Sequence, residues 1–480
     1  MAFTSQAFLL FVLLVVLAFN ASSSRIWREA VLGIANLVFI ISFVSNPIQL
    51  LPLAGFLALG FAATMVIRRW PRAPVLALLL AIIVVVFATL KRYTFLPAGF
   101  ELSFLYLSVG LSYILFRVLQ LVIDGASPSD QPRLGLFSYL NYTCNFLSFV
   151  SGPIERSEGF VENRSHQLQR LLDDQLVFKS LARIVKGYFK LAVLSALAQY
   201  AFTTVSTPVL DAGETLGLAR LALDFGLSVC TYTIYLYTNF AGYMDIVIGI
   251  GWLLGQDLPE NFNHPFAARN LFEFWGRWHM TLSEWFKTYL FNPLVKLFAG
   301  RLSNPKALPY FGVLAFFISF FVMGVWHGST MVFVIYGLVM GAGVSLNKLW
   351  QIAMTKRLGK KPYRALTEHP LYSALAQGLT FAFFAMAVTA LWVNFEQLEL
   401  ICLRLGASGA LLVLLLITLV AAALFAMARA VLRRVPDSEV MWRWISAGRY
   451  RHLGLAAQVL VILIVASFFH KAPEFVYKAF

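Results

Sequence analysis

Charge is what this 480-residue sequence has least of. Asp, Glu, Lys and Arg make up 13% of the chain against 60% hydrophobic residues, and the mean hydropathy is +0.75. No water-soluble domain carries that balance, so a polytopic membrane protein is the class to start from. Cysteine is nearly as scarce: Cys144, Cys230 and Cys402 are an odd number, far apart and each inside an apolar stretch. They argue for buried thiols and against a disulfide framework or a zinc site, and no metal centre is expected. Several motifs are missing too: a P-loop, a dinucleotide-binding glycine fingerprint, HExxH, a G-x-S-x-G elbow and paired CxxC. ATP-driven transport, hydride transfer and zinc hydrolysis thereby lose their usual signatures.

The charge that is present is mostly positive, with 38 Lys and Arg against 23 Asp and Glu, a net of +15. In a membrane chain this reads as topology and contact with anionic lipid, not nucleic acid. A crossing needs ~20 apolar residues for the ~30 Å hydrocarbon layer. Such stretches recur near 6–22, 29–45, 48–67, 74–90, 96–120, 188–206, 216–238, 308–326, 329–350, 370–394, 408–430 and 453–470. They predict an all-α polytopic integral membrane protein with about 11–12 transmembrane helices. The N-terminal stretch lacks the basic start of a signal peptide and is read as the first of them. Basic clusters at Arg25 and Arg28, Arg68 to Arg72, Lys356 to Arg364, and Arg429 to Arg434 fall at alternate span ends. Those ends are expected in the cytoplasm, which puts both termini and the acidic loop at Asp211 and Glu214 outside. Lys91 and Arg92 do not follow the pattern.

The chain reads as one membrane domain over 1–480, with N-terminal helices over 1–125 and C-terminal helices over 370–480. Two segments resist a simple crossing. Residues 134–160, LGLFSYLNYTCNFLSFVSGPIERSEGF, lie between cytoplasmic-looking loops, which predicts a re-entrant hairpin whose backbone must be satisfied by protein or water. Residues 216–255 are too long for one span at ~1.5 Å per residue. Asn239, Gly242 and Asp245 within them predict a helix broken inside the protein, as in substrate paths.

The longest polar-aromatic block is 260–294, ENFNHPFAARNLFEFWGRWHMTLSEWFKTYLFNPL. Trp278, Leu282, Trp285, Phe286 and Tyr289 share one helical face, while Arg277, Glu284, Lys287 and Thr288 lie near the other. That pattern predicts an interfacial helix lying on the bilayer and ended by Pro293. Anchoring alone leaves Asn261, Asn263, His264, Glu273, Arg277 and His279 unexplained. Further on, MGVWHGST sets His327 between two apolar runs. A buried histidine is more often structural than catalytic, yet a desolvated neutral imidazole can also accept a proton from a hydroxyl. Trp326 is expected beside it, and Gly328 and Ser329 would let a polar group approach. On residues alone, a proton-handling enzyme, a transporter or flippase, and a non-catalytic scaffold all remain open.

The ordered set GPIER, NFNHPF, FWGRWHMTLSEW and VWHG in one polytopic chain resembles the membrane-bound O-acyltransferase (MBOAT) family. The branch most resembled is the bacterial one that holds the alginate O-acetyltransferase membrane subunit and the D-alanyl transfer protein of teichoic acids. The resemblance implies a helical bowl with its catalytic core over 188–350, an acyl donor presented from the cytoplasm and an acceptor reached from outside. It implies His327 as the catalytic histidine and His279 as its companion. Asn261, Asn263, Arg277, Trp278, Trp326, Asn239, Asp245 and Arg156 are then expected to shape the donor channel. No permanently bound cofactor is implied; acetyl-CoA or another acyl thioester serves as donor substrate. The expected partners are membrane lipids, a polysaccharide acceptor and a periplasmic or membrane-anchored acyltransferase that completes transfer, in a bacterial inner membrane. Asn239 in NFAGY and Gly276 in FWGRWH depart from the alginate-type DFSGY and FWRRWH. Acetyl transfer to an exported polysaccharide is the leading expectation, with D-alanyl or another thioester-borne group as the alternative.

Overall fold

The computed structural model describes residues 1, 3–95, 102, 104–127, 134–167, 172–211, 213, 216–301, 307–432 and 451–468. Glu214, Arg433, Arg434, most of 96–103 and everything after 468 lie outside the described residues.

The helices run in the order α1 (Gln6–Asn20), α2 (Arg25–Ile41), α3 (Leu51–Arg69), α4 (Ala73–Lys91), α5 (Leu111–Gly125), α6 (Leu136–Thr143), α7 (Ser157–Gln167) and α8 (Asp174–Phe189). A π turn at Lys190–Leu194 leads into α9 (Ser195–Leu210), followed by α10 (Leu218–Leu253), α11 (Leu271–Trp275) and α12 (Met280–Phe286). A second π turn at Lys287–Phe291 joins α12 to α13 (Asn292–Arg301). Then come α14 (Leu308–His327), α15 (Met331–Leu358), α16 (Lys360–Glu368), α17 (Pro370–Ala387), α18 (Phe395–Leu432, kinked at Gly406) and α19 (Arg451–Phe468). Helix starts follow the sequence: Ser5 caps α1 by accepting from the Phe8 amide at 3.2 Å, and α3, α4, α14 and α17 carry proline in the first turn, where its missing N–H costs nothing.

This is an all-α polytopic membrane protein. Among the described residues, six helical stretches are long and apolar enough to cross a bilayer: Pro47–Arg69, Ala73–Lys91, Leu308–His327, Met331–Leu358, Pro370–Leu391 and Phe395–Val431. Gln6–Asn20 and His452–Ser467 are shorter apolar helices.

Three expectations are corrected. The predicted break within 216–255 does not exist, because α10 is one continuous helix of 36 residues. Its polar side chains satisfy themselves without disturbing the helical ladder: Thr233 and Thr238 donate to carbonyls four residues back, and Asn239 donates to Ser195 Oγ at 3.3 Å. The glycine-rich stretch there serves packing. A Cβ on Gly187 of α8 would stand 2.7 Å from the Gly242 carbonyl, so the two backbones approach closely. Second, the span expected at 96–120 is helical only from Leu111, with 104–110 irregular. Third, Pro293 does not end the helix of the 260–294 block. The wider π turn before it absorbs the lost amide, and α13 continues through it.

By packing, the chain divides into two compact units, Met1–Tyr188 with Phe240–Glu260 and Phe189–Asn239 with Asn261–Pro473. In the first, residues 134–160 form α6, a buried irregular stretch and the start of α7. Arg117 of α5, 1% exposed, holds that stretch together. Its guanidinium donates to the carbonyls of Tyr142 (3.2 Å), Thr143 (2.7 Å) and Ser148 (2.9 Å) and to Ser148 Oγ (2.6 Å). One cation thus satisfies the last two carbonyls of α6 and one of the irregular stretch, groups that burial would otherwise leave at a cost of ~1–3 kcal/mol each. Tyr142 donates to the Glu155 carbonyl, and Asn163 donates to the Glu155 carboxyl.

Candidate active site

The second unit carries both histidines. α14 and α15 form a tight helical hairpin, because small residues meet at its crossing: a Cβ on Gly324 would lie 2.2 Å from the Gly337 Cα. Such contact lets helices pack backbone to backbone where apolar side chains gain little from leaving lipid. α14 stops on His327, so this residue sits at the turn between two helices and not in mid-span. It is 4% exposed, with its ring 4.8 Å from that of Trp326 and 5.8 Å, edge-on, from that of Tyr336 on α15. Gly328 does not open a path to the histidine as expected. A Cβ there would fall 2.1 Å from the Phe333 ring, so the glycine makes room for that phenylalanine.

His279 is built by a different device. Asn270 caps α11 by accepting from the Glu273 amide at 3.0 Å, and Glu273 pairs with Arg277 at 2.9 Å. The chain then turns through Gly276 and returns antiparallel to 261–263. Phe262 and Trp278 bridge, the Asn263 amide donates to the Arg277 carbonyl at 2.9 Å, and the Met280 amide donates to the Asn261 carbonyl at 3.0 Å. His279 sits at the end of this ribbon with φ 43° and ψ 53°, a left-handed conformation worth roughly 1–2 kcal/mol of strain for a side chain of its kind. It is 1% exposed. Burial first, and the neighbouring His327 second, hold its imidazole well below the ordinary histidine range, so it is neutral at pH 7.

Trp278 and its face were expected at the lipid headgroups. Instead, Trp278 is 2% exposed, stacked on Phe274 at 5.6 Å and boxed by Phe262, Phe384 and Tyr237. Leu282, Trp285 and Phe286 are buried as well. The amphipathic face of α12 is covered by protein.

A cavity of about 500 Å³ is lined by Phe272, Trp275, Gly276, Met280, Ser283, Glu284, Phe286, Lys287, Phe291, Phe316, Ser319, Phe320 and Met323; Met280 directly follows His279 in the chain, and Met323 stands one helical turn before His327. Phe316, Phe320, Met323 and His327 follow one another at helical spacing on α14, so the lining face is also the face of His327. Met280 and Ser283 lie in the first turn of α12, which begins directly after His279. The walls are apolar, with two serine hydroxyls and a Glu284–Lys287 pair at 3.2 Å on exposed residues. The Trp275 indole N–H, on a residue 5% exposed, meets no acceptor among the described residues. The cavity is far larger than an acetyl group and offers no cluster of cations, which suits an uncharged, extended chain with a carbonyl to receive that N–H. Among the described residues, no group of three His, Cys, Asp or Glu side chains could hold a metal.

The other sequence-derived candidates scatter. Asn261 is wholly buried and bonded to the first turn of α12, Asn263 is exposed, and Arg277 is occupied with Glu273. Asn239 is buried against Ser195 in the same unit. Asp245, paired with Arg183 at 3.1 Å, and half-buried Arg156 belong to the first unit. Sequence reading missed the cavity wall at Trp275, Ser283, Ser319 and Met323. The spacing of Phe316, Phe320 and Met323 ahead of His327 was the signal for part of it.

Two buried imidazoles at helix ends, each within a turn in sequence of a residue lining an apolar cavity, give a membrane protein groups suited to acyl chemistry. Residues 100–385, more than half of the chain, match the profile of the MBOAT, membrane-bound O-acyltransferase family. The chain belongs to that family. It is 31% identical over 233 residues to the teichoic acid D-alanyltransferase of Bacillus subtilis, covering 48% of this chain and 56% of that one. It is 28% identical over 283 residues to the teichoic acid D-alanyltransferase of Streptococcus thermophilus, covering 57% and 65%. To the probable alginate O-acetylase AlgI of Pseudomonas syringae pv. tomato it is 26% identical over 303 residues, covering 62% and 50%. The chain thus spans about half to two thirds of the length of these curated relatives.

Proposed function

We propose that this protein transfers an acyl group, acetyl from acetyl-CoA, for O-acylation of an exported or envelope polysaccharide in the bacterial inner membrane. The observation that carries the reading is the pair His279 and His327, both buried and each within one helical turn in sequence of a residue lining one apolar cavity, all within the family-matched segment. In this scheme the thioester arm lies in the cavity with a carbonyl on the Trp275 N–H, and His327 takes the proton of the acceptor hydroxyl. The hydroxyl oxygen attacks the thioester carbonyl, the C–S bond breaks, and the leaving thiolate receives the proton from His327. Ester and free thiol are the products, with no other reactant. His279, neutral, orients donor or acceptor by hydrogen bonding. A periplasmic or membrane-anchored acyltransferase partner completes delivery to polymer.

D-alanyl transfer is the second reading, favoured by the 31% identity to the Bacillus subtilis protein. The transporter alternative loses its main support with the continuity of α10. Membranes or purified protein given labelled acetyl-CoA or a D-alanyl thioester, with an acceptor hydroxyl, test both. His327→Ala is expected to lower transfer by ~10²–10⁴-fold without loss of folded protein, the usual worth of a general base. Transfer by His327→Ala equal to wild type, or label that never leaves either donor, would sink the acyl-transfer reading.

A further inference from the structure

His279 stands where a helix ordinarily places its cap. The first amides of α12, those of Met280 and Thr281, have no partner within their own helix, and Ser, Thr, Asp or Asn at the preceding position is the usual remedy. Here the remedy comes from a residue eighteen positions earlier. The Asn261 carbonyl accepts from the Met280 amide at 3.0 Å, and Asn261 Oδ1 accepts from the Thr281 amide at 3.1 Å and from Thr281 Oγ1 at 2.7 Å. Asn261 is 0% exposed, so no water can take over these bonds. The same ribbon fixes the left-handed turn at His279, which an unrestrained side-chain-bearing residue would leave.

We propose that Asn261 is a positioning residue for His279: it caps α12 from outside the helix, which frees the cap position for an imidazole and locks that imidazole's backbone in the left-handed turn. The proposal rests on the acyl-transfer reading for its kinetic consequence, and on geometry alone for its effect on the ring. Asparagine suits the task because one oxygen serves two donors. Aspartate keeps both acceptors and places negative charge at a helix N-terminus, where it is favoured. Alanine removes the oxygen that accepts from both the Thr281 amide and its hydroxyl.

The experiment compares wild type, Asn261→Ala, Asn261→Asp, His279→Ala and the double variant His279→Ala/Asn261→Ala as full-length purified proteins. Asn261→Ala is expected to lower kcat on the order of tenfold to a hundredfold with the donor KM unchanged, as a small misplacement of a reacting group does. Asn261→Asp recovers most of it, and in the His279→Ala background Asn261→Ala adds no further loss. Independently of turnover, the His279 resonance in protein carrying isotope-labelled histidine shifts in Asn261→Ala and returns in Asn261→Asp. Losses that multiply in the double variant, or an Asn261→Ala protein that melts lower yet keeps wild-type kcat and an unmoved His279 resonance, overturn the proposal. If wild type turns over no donor, the acyl-transfer reading fails, and the resonance alone decides for or against the positioning role.

Discussion

His327 closes α14, and the cavity wall continues down the same face through Met323 and Phe320. Among the cavity-lining side chains, Trp275 has a buried N–H that meets no acceptor among the described residues. Trp275→Phe keeps the ring and removes the N–H, and the loss of one hydrogen bond of ~1 kcal/mol predicts a donor KM about fivefold higher at similar kcat. Steady-state kinetics on folded protein check it, and an unchanged KM removes Trp275 from donor binding. Glu155 gives a prediction of a different kind. Burial raises its carboxyl to about 7, against the opposing hydrogen bond from Asn163 and the charge of Arg117. Between about 4.5 and 7 the folded chain holds a proton that the unfolded chain has released, so this group's contribution to stability declines as pH rises through that window. Glu155→Gln is expected to flatten the slope of melting temperature over that range, and the same slope in variant and wild type would refute it. His327 was conspicuous in the sequence as a histidine in an apolar frame, but the catalytic expectation for it and for His279 came from the ordered motifs of the family resemblance. Asn261's task was not, since its partner Thr281 lies twenty residues away and no local pattern announces the pairing.

Between residues and the whole chain, helices set the tolerances. The α14–α15 hairpin depends on Gly324 against Gly337, and Gly324→Leu must push the two backbones apart. Overpacking of this sort costs ~1–3 kcal/mol, and because His327 ends α14, transfer activity is expected to fall with melting temperature. A thermal melt and an assay on the same preparation check both, and full activity at lowered stability would uncouple the hairpin from the site. Arg117→Met removes the cation that satisfies three buried carbonyls, two at the end of α6 and one in the irregular stretch that follows. The loss of several kcal/mol rivals the ~5–15 kcal/mol that keeps a domain folded, so little folded protein is expected in membranes, measured by fluorescence-detected size exclusion. Apolar length made the long helices readable. α10 was misread because Asn239, Gly242 and Asp245 looked like a break, whereas Asn239 donates to Ser195, Asp245 pairs with Arg183 and Gly242 meets Gly187 of α8, all within one continuous helix. The 260–294 block was misread for a related reason: periodicity shows that a face is apolar, not whether lipid or protein covers it.

At the scale of the whole molecule, composition decides the class and charge placement decides how the chain faces its membrane. Lys and Arg are retained on the cytoplasmic side during insertion, while Asp and Glu have little say. The Lys356 to Arg364 cluster spans the end of α15 and α16, and Asp211 follows α9. We predict that the first faces the cytoplasm and the second the outside. Lys361 and Asp211 are both exposed, and the only exposed native thiol among the described residues is Cys402. With Cys402→Ser as background, Asp211→Cys in intact cells is expected to react with a membrane-impermeant maleimide. Lys361→Cys is expected to react only after the membrane is opened. The reverse pattern inverts the orientation and with it the direction of transfer: a thioester made in the cytoplasm would then meet the face assigned to the acceptor, and the acceptor the face assigned to the donor. Labelling of both positions in intact cells would instead exclude the alternation of basic span ends on which the orientation is argued.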